Sequence, residues 1–378
     1  MDQHVVMDNI INSWIKDNDA WNKFDSEKPQ LNTLNKCAKH VHDTLMKIYP
    51  SVNMNNLEYV KQRIEKIRKN RKQLFQLKKI PFVEQRSEEW YNIRKNLITA
   101  SDFGDALGIE KFGKKGDPKK FYQKKCGYDE PPPFDTASVF LKWGVMFEDV
   151  ACNIYKSRTG INIHDFGILK NPRHPFLGAS PDGINDMGVM LEIKCPYKRK
   201  ITDDSILKQY YYQIQGQLDA CDLHECDFLE TKLDTYSDEA SFFDDYETQY
   251  NVFTNDNMEK GVIVEISDTE YLYSPHNAIK DEVQIWINEN RHKGKVIYWY
   301  LDLFSLKRVK KNDNHINTMN IELEDVWNNV LKYRENKKLY DMECKSSVRT
   351  TKSTTKSITK EPPTVGSYFR IDPNESIS

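Results

Sequence analysis

Gly178-Ala-Ser-Pro-Asp182-Gly, followed by Val189-Met-Leu-Glu192-Ile-Lys194-Cys-Pro-Tyr, sets two carboxylates and an ammonium around a short apolar run. Asp182 stands in a turn, and Glu192 and Lys194 close a strand-length segment. Side chains alternate along a strand with period two, so Glu192 and Lys194 share a face. The pattern suits a divalent-metal site with a lysine beside it. Asp182 and Glu192 would be oxygen ligands, the backbone carbonyl of Ile193 a third oxygen, and Lys194 would reach an attacking water or a phosphate. Phosphodiester cleavage calls for these parts: neutralised charge on the scissile phosphate, a deprotonated water and a stabilised leaving oxygen, most of which one or two Mg²⁺ ions supply. A lysine placed there is expected to have a lowered pKa and to manage the water proton.

Two flanking segments add to this set. Trp143-Gly-Val-Met-Phe-Glu148 puts a carboxylate on a helix whose apolar positions Val145, Met146 and Val150 would bury it against a sheet, which makes Glu148 the third acidic candidate. In Tyr210-Tyr-Tyr-Gln213-Ile-Gln215-Gly-Gln217, Gln213 and Gln217 lie one helical turn apart and face the same side, so Gln213 could orient a water or contact phosphate. Cys195 and the Tyr210–Tyr212 run read as packing. Each signal alone has a plain explanation: alternating charge on an exposed strand, a turn aspartate, an exposed helix glutamate. Their order and co-occurrence make the pattern specific.

The elements that must position these residues can be read from hydrophobic periodicity. Ile10, Ile11, Trp14 and Ile15, and then Leu34, Ala38, Val41, Leu45 and Ile48, recur at helical steps, giving an N-terminal helical region over 1–80. From 81 to 344 the chain reads as α/β. Ile161–Leu169, Phe176–Ser180 and Val189–Ile193 have strand length and end in turn residues. Leu233 to about Gly261 is acidic and aromatic and reads as an insertion, at about 233–260. Gly261–Ile266 and Lys295–Leu301 are strand-like, with a helix around Glu282–Asn290 between them and a last helix through Val326, Val330 and Tyr333. Residues 345–378 form a Ser/Thr/Lys-rich tail with too little apolar surface to fold.

Composition bounds the class. The chain has 378 residues, 38% of them hydrophobic, which suits one large or two ordinary globular cores. No apolar stretch reaches membrane-spanning length and no secretory leader opens the chain, so an intracellular protein with no membrane partner is expected. Its seven cysteines lack C-x-x-C spacing and read as reduced thiols. The net charge of −2 says little, because charge is segregated along the chain. Lys61–Lys79 carries nine basic residues against Glu65 alone, a run that suits either a phosphate-tracking surface or a solvated helix face.

Gly144…Glu148, Pro181-Asp182, Glu192-x-Lys194 and Gln213-x-x-x-Gln217 together resemble the PD-(D/E)XK nucleases, specifically the lambda-exonuclease or YqaJ-type viral recombinase group. The likeness extends upstream through Arg86-Ser-Glu-Glu-Trp90-Tyr-Asn-Ile-Arg94 to Thr99-Ala-Ser101. It implies a restriction-endonuclease-like core, a mixed central sheet flanked by helices. It further implies Mg²⁺-dependent removal of nucleotides from linear duplex ends, commonly 5′ to 3′, with Mn²⁺ able to substitute. Arg94 and Ser101, with Thr99 between them, would contact the 5′-terminal phosphate, a role that a guanidinium fork and a hydroxyl near a helix start suit physically. A single-strand annealing protein and a homo-oligomer are implied partners, and a viral factory in the host cytoplasm, or the nucleus, the implied location. The helical N-terminal region, the insertion and the tail depart from compact phage members and put the family's ring-shaped trimer in question.

Pro362-Pro-Thr-Val365-Gly-Ser-Tyr368-Phe369 is similar to peptides that dock on sliding clamps, with Pro362 in place of the usual Gln. Val365, Tyr368 and Phe369 would be the docking residues, or would fold back onto the body. Two other activities compete with the exonuclease reading. One is a structure-specific or nonspecific endonuclease using the same centre. The other is a non-catalytic DNA-binding scaffold, against which the retention of Glu148, Asp182, Glu192 and Lys194 argues, since clustered carboxylates are costly to keep. Nothing in the sequence reads a 2′-hydroxyl, so an RNA substrate stays open.

Overall fold

The computed structural model describes residues 3–26, 30–49, 56–85, 87–111, 113–128, 139–202, 205–246, 248, 250–345 and 368–370. Three helices come first: α1 (Gln3–Asp17), α2 (Leu31–Ile48) and α3 (Leu57–Leu77). Their apolar stripes meet in one core, where Met7, Ile11 and Ile15 pack on Ala38, Val41 and Leu45 and on Val60, Ile64 and Ile67. Ile161, Met187 and Val189 of the α/β region belong to the same core. The N-terminal helices are therefore packed onto the rest of the protein.

The basic run falls on α3 and the two residues after it and is divided by residue type. Arg63, Arg68 and Arg71 are buried, whereas Lys61, Lys69, Lys72, Lys78 and Lys79 are exposed. Arg63 makes a bidentate pair with Asp8 at 2.6 and 2.7 Å and also meets Glu225. Arg71 pairs with Asp25 at 2.6 Å and lies 3.7 Å from the Trp21 ring centroid. Neither reading of this run from sequence describes its arginines, which face inward and clamp α3 to its neighbours. A planar guanidinium satisfies several acceptors at once, while the compact lysine ammonium stays hydrated.

After α4 (Glu88–Lys95), α5 (Val139–Thr159), α6 (Lys208–Cys221) and α7 (Asp313–Glu335) surround a seven-stranded mixed sheet. Its strands are β1 (Ile163–His164), β2 (Gly183–Asn185), β3 (Met190–Lys194), β4 (Glu225–Thr235), β5 (Lys260–Ser267), β6 (Glu270–Tyr273) and β7 (Lys295–Lys310). The order across the sheet is β6-β5-β7-β4-β3-β2-β1. Within this sheet β3 and β4 pair in parallel and the other neighbours antiparallel, and a parallel pair needs a crossover, which α6 supplies. This is the mixed, helix-flanked sheet with N-terminal helices that the sequence predicts.

Several details differ from the sequence reading. The Ile161–Leu169 run divides into β1 and a separate strand, Leu169–Lys170, in another sheet. Between them Gly167 passes so close to Val83 that a Cβ there would lie 2.3 Å from its carbonyl oxygen. The acidic segment is not simply appended, since Leu233 is still within β4. Its Phe242 and Tyr246 share a core with Val262, Val283, Ile287 and Tyr298. Residues 346–367 and 371–378, including Val365, lie outside the described residues. The Tyr368–Arg370 backbone pairs antiparallel with Ser205–Leu207, the fold-back alternative for that segment. Among the described residues no helix is long and apolar enough to cross a membrane, and all seven cysteines are unbridged.

Candidate active site

β3 is sorted by its period of two. Leu191 and Ile193 point to the α5 face, where they pack with Ala151 and Tyr155. Met190 points to the α6 face and packs with Ile214 and Leu218, and Glu192 and Lys194 follow it at the same parity. The crossover returns α6 above β3, so the two amides one turn apart both reach Glu192. Gln213 Nε2 donates to Glu192 Oε1 and Gln217 Nε2 to Glu192 Oε2, each at 2.7 Å. Lys194 Nζ also contacts Glu192 Oε1. A carboxylate 1% exposed is thus supported by two amides and an ammonium.

Asp182 sits at the entry of β2, which pairs with β3 through Gly183 opposite Leu191. Its Oδ2 accepts the backbone N–H of Ile193 at 2.7 Å, which fixes the carboxylate beside the end of β3. Burial, then the charge of Glu192 and that of Glu148, push the Asp182 carboxyl well above the usual carboxylate range, against the pull of Lys194 and the Ile193 N–H. Lys194 shows the reverse balance. Burial alone would lower it, but Glu192 and Asp182 hold its ammonium above the ordinary lysine value. This is the opposite direction to the lowered pKa expected from sequence, because two flanking carboxylates favour the charged form of the lysine.

Glu148 is half-buried on α5, which packs against the opposite face of β3. Its charge reaches Asp182 from there. Among the described residues no three Asp, Glu, His or Cys side chains are gathered closely enough to ligate one ion. Both Glu192 oxygens accept from side chains of the chain itself, and Glu148 is felt at Asp182 through its charge. The donor types and the charge suit a hard divalent cation: Asp182 and Glu192 flank one ammonium, and Asp182 resists ionising beside the charges of Glu192 and Glu148.

The upstream arm begins with α4, capped by Ser87, whose side chain accepts the Trp90 N–H at 3.2 Å. Trp90 and Arg94 are four apart on this helix, and the Arg94 guanidinium carbon lies 4.3 Å from the Trp90 ring centroid. Arg94 Nη2 donates to Ser101 Oγ at 3.0 Å, and Ser101 is exposed. Thr99 differs from its two companions. It is 1% exposed and its hydroxyl donates to Asp102 Oδ2 at 2.7 Å, so it shapes the turn and presents no free face to a ligand. Burial raises the Asp102 carboxyl, but Lys125 and Lys124 outweigh it and hold the group well below the usual range. The arm and the Asp182 loop are joined by a small sheet in which Ile98–Thr99 pairs in parallel with Leu177–Gly178.

Three contacts to these residues were not assigned from sequence. Trp90 Nε1 donates to Ser180 Oγ at 3.2 Å, Gln217 holds the second oxygen of Glu192, and the Tyr210 ring lies 5.2 Å from Lys194 Nζ. The signals were present in part: Trp90 precedes Arg94 by one turn, and Ser180 directly precedes Pro181-Asp182. The target of each side chain was not readable.

Residues 89–224 match the model of the YqaJ-like viral recombinase domain. Over 355 residues the chain is 27% identical to an uncharacterized protein of Acanthamoeba polyphaga mimivirus, a match covering 82% of this chain. The match spans 61% of the length of that relative. Among solved structures it is similar to an alkaline exonuclease from Laribacter hongkongensis, with a TM-score of 0.40 and 16% identity, covering 68% of this chain and 99% of that one. It is also similar to a phage related exonuclease from Haemophilus somnus, with a TM-score of 0.36 and 12% identity, covering 65% and 96% of the two chains.

Proposed function

We propose that this YqaJ-like domain is the catalytic part of a divalent-metal-dependent DNA exonuclease that degrades linear duplex DNA from its 5′ ends. Its setting would be recombination, repair or genome processing of a viral or phage-like replicon. The observation that carries the proposal is the meeting of Asp182, Glu192 and Lys194 at one end of β3, with Gln213 and Gln217 fixing Glu192 from the crossover helix. Asp182 and Glu192 would hold Mg²⁺, with Mn²⁺ a workable substitute, and Glu148 adds negative potential. The cation would neutralise charge on the scissile phosphate and acidify water.

The chain's own groups have separable parts. Lys194, held charged, donates to a phosphate oxygen or to the attacking water and orients it. Gln213 and Gln217 keep Glu192 from rotating, so its oxygens are presented in one orientation. Arg94 and Ser101 offer a guanidinium and a hydroxyl to a terminal phosphate. A single-strand annealing protein, a sliding clamp and further copies of the chain are the partners this role would use.

Timed digestion of 5′-phosphorylated, 5′-hydroxyl and covalently closed circular duplexes, with Mg²⁺ and with a chelator, tests the proposal. The expected result is loss of the linear substrates from the 5′ end, faster for phosphorylated ends and stopped by the chelator. Cutting of the closed circle would instead assign an endonuclease, and degradation that survives chelation would remove the metal from the reading.

A further inference from the structure

We infer that Trp90 is a positioning residue that sets the distance between the end-reading side chains, Arg94 and Ser101, and the catalytic Asp182. The inference rests on the function proposed for both groups. An enzyme that reads a DNA end and cuts beside it must hold the two sites at a fixed spacing, because displacements of about 1 Å can lower rates about a hundredfold.

Trp90 is the side chain that touches both sides. Its ring carries the Arg94 guanidinium, whose carbon lies 4.3 Å from the centroid, and Arg94 continues to Ser101 Oγ at 3.0 Å. On the other side, its indole N–H donates to Ser180 Oγ at 3.2 Å. Ser180 is followed by Pro181, whose ring fixes its own φ and confines the preceding residue to extended backbone. A shift at Ser180 therefore passes to Asp182, which is docked on the Ile193 N–H at 2.7 Å. The result is one line of contacts through Ser101, Arg94, Trp90, Ser180 and Asp182.

Trp90 itself has little freedom. Its backbone N–H is capped by Ser87 at 3.2 Å, and the Tyr91 ring stands edge-on with centroids 5.0 Å apart. The parallel pairing of Ile98–Thr99 with Leu177–Gly178 ties the same two segments through their backbones. It does not place the Arg94 guanidinium, which rests on the Trp90 face and donates to Ser101.

Trp90→Phe keeps an aromatic face for Arg94 but lacks the N–H, and Ser180→Ala removes the acceptor of the same bond. Wild type, both variants and the double variant are compared by kcat/KM on 5′-phosphoryl and 5′-hydroxyl linear duplexes with Mg²⁺, after thermal unfolding shows that each is folded. Each single change is expected to lower the phosphoryl-over-hydroxyl ratio about two- to tenfold, the effect of one neutral hydrogen bond. The double variant is expected to lose no more, because one bond is removed from either end. A ratio that stays at the wild-type value in the variants, or losses that multiply in the double, overturns the inference; Ser180→Ala alone decides it if Trp90→Phe does not fold. A wild type that does not discriminate between the ends removes the reading of Arg94 and this inference with it. A discriminating wild type with equally discriminating variants removes the inference alone.

Discussion

Replacing Arg63 by Met removes the centre of a buried charge network that joins the N-terminal helices to the sheet. Arg63 pairs with both Asp8 oxygens at 2.6 and 2.7 Å and meets Glu225, and all three side chains are at most 4% exposed. Arg308 also reaches Asp8 at 3.0 Å, Asp227 at 2.6 Å and Glu225 at 3.5 Å. Without Arg63, one buried guanidinium faces three carboxylates, and the remaining help is Lys66, 38% exposed and 2.9 Å from Glu225. Removing one partner of a buried pair costs about 3–5 kcal/mol, because the other charge stays in low dielectric. Against a total stability of about 5–15 kcal/mol, that is a large share. The pH dependence gives a second check. Burial raises Asp8 and Glu225, but Arg63 and Arg308 outweigh it and hold both below their ordinary values. A carboxylate depressed in the folded state contributes stability that is present above its unfolded pKa, about 4, and lost as pH falls through the folded value. The wild-type advantage should therefore be greatest near pH 7 and shrink below about pH 4. Urea unfolding followed by tryptophan fluorescence measures it at both ends. A loss under about 1 kcal/mol at pH 7, or one that does not change with pH, would refute the claim that this network fastens α1 and α3 to the sheet.

Lys194→Ala is expected to lower the rate of linear-duplex degradation by about 10²–10³ while DNA binding persists, measured by digestion and filter binding; retained cleavage would remove the lysine from the mechanism. Gly216→Ala should destabilise the protein by about 1–3 kcal/mol, since its Cβ would lie 2.2 Å from the Phe103 ring, and an unchanged melting temperature would show that α6 can move aside. Lys260 tests the sign of a buried ammonium. It is 5% exposed, 3.3 Å from the Tyr246 ring centroid and 3.0 Å from the Phe242 carbonyl oxygen, and burial pulls its pKa down to about 8. Between pH 8 and its ordinary value the unfolded chain binds the extra proton, so this residue makes stability rise with pH. Urea midpoints at pH 7.5 and 9.5 should show that rise in wild type and its loss in Lys260→Met, and parallel profiles would contradict it.

How much of the candidate site is legible in sequence differs by residue. Glu192 and Lys194 are readable because strand parity is local, and Asp182 because a turn at Pro-Asp-Gly is local. Gln213 and Gln217 are assigned to one helical face by their spacing, but not to Glu192, which lies 21 and 25 residues away. Thr99 reads as an equal of Ser101 until the fold turns its hydroxyl toward Asp102. The Lys194 pKa depends on which charges lie beside it, and reading desolvation alone gives the wrong direction.

The sequence by itself determined the alternation of faces, the helical stripes, the mixed α/β class and the order of the acidic, basic and amide residues along the chain. Each is set by interactions within a few residues, where side-chain period and backbone propensity act. Tertiary structure alone decided that the arginines of α3 face inward, that Gln213 and Gln217 reach Glu192, and that the Trp90 indole meets Ser180 beside the Asp182 loop. Arg308 and Asp8 are 300 residues apart in the chain yet 3.0 Å apart in the fold. Whether a charged side chain stays in water or is buried depends on whether a partner is there to offset its desolvation, and that partner is supplied only when distant elements pack.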